Sequence, residues 1–436
     1  MSPRRAADPA PPGSGTGATL LRRVRIWTAS DPGGSDLTSS DHACEREPGF
    51  VRIEEGRIVA VGRGEGPADG AEVVELANGF AIPGLIDAHV HIGIDPARGV
   101  AAQARQPAHE RWLAMTQRAR AMLRAGITTA RDLGGPDGLE LALRDAIARG
   151  ELAGPRLVCA GQPVTTPGGH CHFWGGEAAT DADALRVVDR QLARGADWIK
   201  VMATGGVATA GTRPADAQLD AASIARVVAR AAASGRRVAA HCHGTAGIRN
   251  AALGGVATIE HCSFAGADGF GADLDAAVVD AVARSGAWVS PTVNAGWQRR
   301  ERDAQGAMTP FFERMSRVHR ALVAAGVPLV ASTDAGIPGV AHDRLAEGLA
   351  ALARYAGLSP AQALRAATSG AARALGLECE TGRLAPGLAA DVLVLEADPL
   401  VDLGALARPL AVFARGQRVA LDDASASAEY AAPRAR

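Results

Sequence analysis

GLIDAHVHI, residues 84–92, is the stretch on which the fold turns. Leu85, Ile86, Ala88, Val90 and Ile92 make it a short apolar run, and Pro83-Gly84 punctuates its start. A run of this length bounded by turn residues reads as a buried strand. Alternate side chains of a strand share a side, so the imidazoles of His89 and His91 point the same way. Histidine is uncommon in apolar strands. Paired at a strand end, the two read as metal ligands, against the alternative of two unrelated core histidines.

Seven more apolar runs follow: ITTARDL (127–133), RLVCAG (156–161), DWIKVMA (197–203), RVAAHCH (237–243), ATIEHCS (257–263), AWVSPT (287–292) and PLVASTD (328–334). Amphipathic stretches such as ERWLAMTQRARAMLRAG and AASIARVVARAAASG lie between them, and several end in glycine, as helix C-termini often do. Eight strands, each followed by a helix, predict an α/β fold, a (β/α)8 TIM barrel. His241 ends the fifth strand, His261 the sixth and Asp334 the eighth. Together with His89 and His91 they place five metal-type side chains at one rim, the C-terminal mouth where barrel enzymes keep their active sites.

Lys200 ends the fourth strand and is the only lysine in the chain; the other 45 of the 46 basic residues are arginine. Arginine keeps its proton, whereas a lysine can lose it and react as an amine. A charged ammonium would be repelled by two divalent cations at this rim. A carbamate formed with carbon dioxide carries negative charge and two oxygens, enough to bridge two metals. An ordinary lysine paired with a carboxylate is the alternative.

The rest of the chain is organised around this barrel, expected over residues 84–380. Residues 19–83 and 381–421 read as short strands separated by turns such as Glu55-Gly56 and Asn78-Gly79. Neither segment is long enough to bury a core alone, so a composite β-sandwich domain is expected. Residues 1–18 read as a disordered lead and 422–436 as a disordered tail. The formal net charge of −1 and the scattered arginines give no footing for a nucleic acid. The six cysteines include no C-x-x-C pair, which fits a reducing, cytoplasmic setting. No apolar run is long enough to span a bilayer.

GLIDAHVHI, WIKVMATGG, AAHCHG, TIEHCS and STDAG resemble the amidohydrolase superfamily, in its binuclear branch of dipeptidases and amidases: prolidase-like carboxypeptidases, ochratoxin-type amidases and relatives of imidazolonepropionase. TTARDLGG and PGGH are similar to that branch, and GRLAPGLAADVLVL to its C-terminal β segment. The resemblance runs from about Leu20 to Val419. It implies that His89, His91 and Asp334 hold one metal, that His241 and His261 hold a second, and that carbamylated Lys200 bridges both. Two divalent ions are therefore expected, with zinc the default for imidazole and oxygen ligands. The implied reaction is hydrolysis of the amide bond of a dipeptide or N-acyl amino acid by a metal-bridged hydroxide, with Asp334 as general base and then acid. Hydrolysis of a cyclic amide, carbamate or lactone is the alternative; a deaminase or a non-catalytic scaffold ranks lower.

His243 follows His241 by two residues and is assigned to the developing oxyanion or a substrate carboxylate, against a purely supporting role. His170, in the glycine-rich loop TTPGGHCHFWGG, is assigned as a catalytic-site and substrate contact ahead of His172. Arg213 is a candidate clamp for a substrate carboxylate and Trp297 for an apolar wall. The expected partner is a small-molecule substrate, with no nucleic acid and no membrane, in a homo-oligomer.

Overall fold

Turn chemistry and strand propensity place the first five strands of the computed structural model, which describes residues 17–30, 47–103 and 105–421. The lead expected before residue 17, Cys44 and the tail from 422 lie outside the described residues. The strands are β1 (Thr19–Ile26), β2 (Gly49–Glu54), β3 (Arg57–Arg63), β4 (Glu72–Glu75) and β5 (Phe80–Pro83). A register shift between Arg22 and Val24 bends β1. Its first half pairs with β2 and β4, and its second half with β5.

The chain then enters the barrel through β6 (Leu85–Val90), β7 (Ile127–Asp132), β8 (Arg156–Cys159), β9 (Trp198–Met202), β10 (Arg237–Gly244), β11 (Thr258–Ala265) and β12 (Trp288–Ser290). Every barrel pair is parallel. β8 and β9 are linked one step further on, where Val164 N donates to Lys200 O (2.8 Å) and Met202 N to Val164 O (2.8 Å). The eighth expected strand, PLVASTD, is irregular. It still sits between β12 and β6: Val330 N donates to Val289 O (2.9 Å) on one side, and Ala88 N to Ala331 O (3.0 Å) on the other.

Helices follow the strands, from Ala108–Arg124 to Leu345–Ala356, and the sequence marks their ends. Thr180 and Asp183 form a reciprocal capping box, and Asp220 and Asp275 cap the next exposed N–H groups. Gly286 and Gly357 end their helices in the left-handed conformation. The short helix Ser369–Leu375 closes the strand-start end, where Arg237 Nη1 donates to the carbonyls of Arg373 (3.3 Å) and Ala374 (3.2 Å).

The chain returns as β13 (Val392–Leu395), β14 (Pro409–Ala414) and β15 (Gln417–Arg418), and β13 pairs with β5. Leu21, Val24, Val51 and Ile58 from the N-terminal strands share one core with Leu384, Val392, Val394 and Phe413. Both chain ends are thus needed to bury that apolar surface. No helix among the described residues is long and apolar enough to cross a membrane.

Candidate metal centre

Strand ends deliver the donor atoms. His89 Nε2 and His91 Nε2 lie 3.3 Å apart at the end of β6. Asp334 Oδ1 is 3.3 Å from the first and 3.5 Å from the second. At the ends of β10 and β11, His241 Nδ1 lies 2.8 Å from His261 Nε2. The rings of His89 and His261 are 5.3 Å apart, so both groups belong to one cluster. Lys200 is 1% exposed, and its charge acts on His89, His91, His241, His261 and Asp334. Burial lowers its pKa, against the pull of Glu260.

The outer nitrogens of three rings face fixed acceptors. His91 Nδ1 faces Gly134 O (2.8 Å), His241 Nε2 faces Gly205 O (3.1 Å) and His89 Nδ1 faces Glu260 Oε2 (2.9 Å). Carbonyl and carboxylate oxygens accept, so these nitrogens carry the protons. The opposite nitrogen of each neutral ring then turns a lone pair into the cluster. Burial keeps the rings neutral: it lowers His89 and His91 to about 4, and His241 and His261 well below the usual imidazole value. Converging lone pairs beside a carboxylate repel one another unless a cation sits among them, which is the donor set of a divalent metal site.

The backbone is bent to make this possible. His261 (φ 64°) and Asp334 (φ 59°) both adopt the left-handed conformation, at ~1–3 kcal/mol each. The turn at His261 interrupts strand alternation. Glu260 therefore reaches His89 while its neighbour His261 reaches His241.

Beneath the cluster runs a buried ion pair to which the sequence reading gave no role. Arg131 and Glu260 are fully buried. Arg131 donates to Ala88 O (2.7 Å), Thr258 Oγ1 (2.9 Å) and Glu260 Oε1 (2.8 Å), with its guanidinium over Trp198. Burial alone would raise Glu260, but Arg131 and the hydrogen bond from His89 hold it well below the usual carboxylate range. Asp87 accepts from Thr333 Oγ1 (2.6 Å) and His89 N (3.2 Å), and burial raises it to about 7. His342 Nε2 faces the carbonyl of His91 (3.1 Å). A charged residue inside an apolar run was the available signal for Arg131, Glu260 and Asp87; nothing in the sequence marks His342.

The four expected substrate contacts divide. His243 stacks on His261 at 4.4 Å with Nδ1 2.8 Å from Ser263 Oγ. Its ligand atom joins those of His241 and His261 within 4.8 Å, as those of His89, His261 and Asp334 also do. His170 is buried with its ring 4.4 Å from His241, and its Nδ1 has no partner among the described residues. The Arg213 side chain is 80% exposed and paired with Asp216 three residues on, and no contact to the cluster is seen among the described residues. Trp297 packs within an aromatic group. Its ring lies against those of Phe311, His319 and Tyr355. Trp174, in the loop after β8, lies 5.5 Å from His91.

Imidazoles and a carboxylate gathered at the C-terminal mouth of a parallel barrel are compatible with a metal centre. Residues 80–419 match the Amidohydrolase family, and the chain belongs to it. It is 29% identical over 367 residues to ochratoxinase of Aspergillus niger, covering 76% of this chain and 73% of that one. It is 28% identical over 393 residues to imidazolonepropionase of Chromobacterium violaceum, covering 78% and 84% respectively. A prolidase solved with N-methylphosphonate-L-proline superposes with a TM-score of 0.78 at 27% identity, over 92% of this chain and 99% of that one. The protein is a hydrolase acting on carbon–nitrogen bonds.

Proposed function

We propose that this protein hydrolyses the amide bond of a dipeptide or an N-acyl amino acid. The observation that carries the reading is the inward turn of imidazole lone pairs, those of His89 and His91 toward Asp334 and that of His241 toward His261, with three outer nitrogens fixed by Gly134, Gly205 and Glu260. The similarity to ochratoxinase and to a prolidase supports an amide as the bond cleaved.

His89, His91 and Asp334 would hold one divalent ion and His241 and His261 a second, with Lys200, as a carbamate, between them. Zinc suits this mixture of imidazole and oxygen donors. Bound there, such ions supply a Lewis acid and lower the pKa of water toward neutrality. Asp334 Oδ1 faces the two Nε2 atoms of the first group, which leaves Oδ2 to take a proton and deliver it to the departing amine. In the metal-free cluster burial raises the pKa of Asp334, against the charges of His89 and Lys200. His243, tied through Nδ1 to Ser263, turns Nε2 to the substrate carbonyl oxygen. His170 offers Nδ1 to the substrate.

Because Lys200 is the only lysine, carbon-13 dioxide should give a single side-chain carbamate resonance in the metal-replete protein. Lys200→Ala should remove that resonance and abolish turnover of a responsive dipeptide or N-acyl amino acid, with rescue by short carboxylic acids. Full activity in Lys200→Ala overturns the bridging role. Silence of the parent across a library of dipeptides and N-acyl amino acids overturns the amide reading.

A further inference from the structure

The rim around the cluster is uneven. β10 runs at Gly244 directly into the helix Thr245–Leu253 and contributes no loop. His241 and His243 therefore lie between the loop 203–219 after β9 and the loop 266–274 after β11. The first of these rests on the loop after β8. Cys171 N donates to Thr209 Oγ1 (3.0 Å), and a Cβ on Gly206 would stand 2.3 Å from the His170 ring, so only glycine allows this approach.

Two apolar side chains stand exposed on this joined pair of loops: Phe173 at 39% and Val207 at 74%. Phe173 continues inward through Trp174 (5.9 Å) to His91. On the loop after β11, half-buried Phe270 lies 5.0 Å from the His243 ring. Its loop is fixed by Gly271 N donating to Ser263 O (2.7 Å) and Arg314 Nε to Phe270 O (3.0 Å). Arg213 on the loop after β9 is paired with Asp216, and Glu177 accepts from the N–H of Gly168 (2.8 Å).

We infer that Phe173, Val207 and Phe270 form an apolar subsite that selects substrates carrying an uncharged, apolar group on the His241 side of the scissile bond. The inference rests on the amide-hydrolase reading for the reaction but not for the binding. Burying one methylene there strengthens binding about fourfold, corresponding to ~0.8 kcal/mol.

Two series test it. Straight-chain alkylphosphonates titrated calorimetrically into the metal-replete protein should bind about fourfold more tightly per added methylene. N-acyl derivatives of one amino acid, from acetyl to hexanoyl, should gain kcat/KM in the same ratio, mainly through KM. The double variant Phe173→Ser/Val207→Ser and, separately, Phe270→Ala should flatten both slopes toward one. Leu253→Ser removes an apolar side chain that is 66% exposed on the opposite end of the barrel and should keep the parent slopes. A flat phosphonate series in the parent, or a slope that survives both variants, overturns the subsite. A rising phosphonate series without any acyl turnover would instead leave the subsite standing and sink the amide reading.

Discussion

Removing the carboxylate of Glu260 probes the foundation of the centre. Glu260→Leu leaves the fully buried Arg131 guanidinium without its counter-charge and His89 Nδ1 without its acceptor. An uncompensated buried charge costs ~3–5 kcal/mol. Arg131→Met leaves Glu260 uncompensated and should cost a similar amount. Independent effects would sum to ~6–10 kcal/mol in Arg131→Met/Glu260→Leu. The two side chains form one pair, however, so the double variant should lose no more than either single one, a coupling of ~3–5 kcal/mol. Urea unfolding of the metal-free protein measures all four corners of the cycle. Glu260→Leu should also bind metal about 10–100-fold more weakly, because His89 is no longer held by its outer nitrogen. Additivity of the two single losses to within ~0.5 kcal/mol would refute the pairing, and unchanged metal affinity in Glu260→Leu would refute the claim that His89 is oriented from below.

Three further outcomes follow from particular contacts. Gly206→Ala should lower kcat/KM about tenfold or more, since a Cβ 2.3 Å from the His170 ring forces that ring or its loop aside; unchanged kinetics would show that His170 is not held in place. His319 is fully buried with neither ring nitrogen partnered among the described residues, and burial lowers it from 6.5 to about 4. The unfolded chain takes up this proton first, so His319 leaves stability untouched above pH ~6.5 and removes up to ~3 kcal/mol by pH 4. His319→Phe should reduce that acid loss in denaturant titrations at pH 7 and pH 4, and an equal loss in both proteins would contradict the assignment. Arg213→Ala should keep kcat/KM within about twofold of the parent, because the guanidinium is exposed and spent on Asp216; a large rise in KM would restore it as a substrate clamp.

The fold was legible wherever strand and helix periods were clean, as from Leu85 to Trp288. The donors were legible because histidine and aspartate are conspicuous at the ends of apolar runs. The eighth strand was less so: PLVASTD makes its bonds to β12 and β6 without regular strand geometry, and the left-handed turn at Asp334 leaves no mark in composition. The same holds at His261, where alternation would have turned Glu260 away from the site. Arg131 and Glu260 had no assigned role in the sequence, because only the fold brings β7 and β11 close enough for them to pair. Arg213 and Trp297 were less legible for a different reason. Loop side chains are placed by local competition, with Asp216 in one case and the Phe311, His319 and Tyr355 cluster in the other, and one sequence does not reveal who wins.

The most direct test of the metal centre is an anomalous-scattering map of crystals of the zinc-loaded protein. Two peaks about 3.5–4 Å apart are expected, one against His89, His91 and Asp334 and the other against His241 and His261. A single peak held by His241, His243 and His261, or no peak within bonding distance of these side chains, would contradict the account.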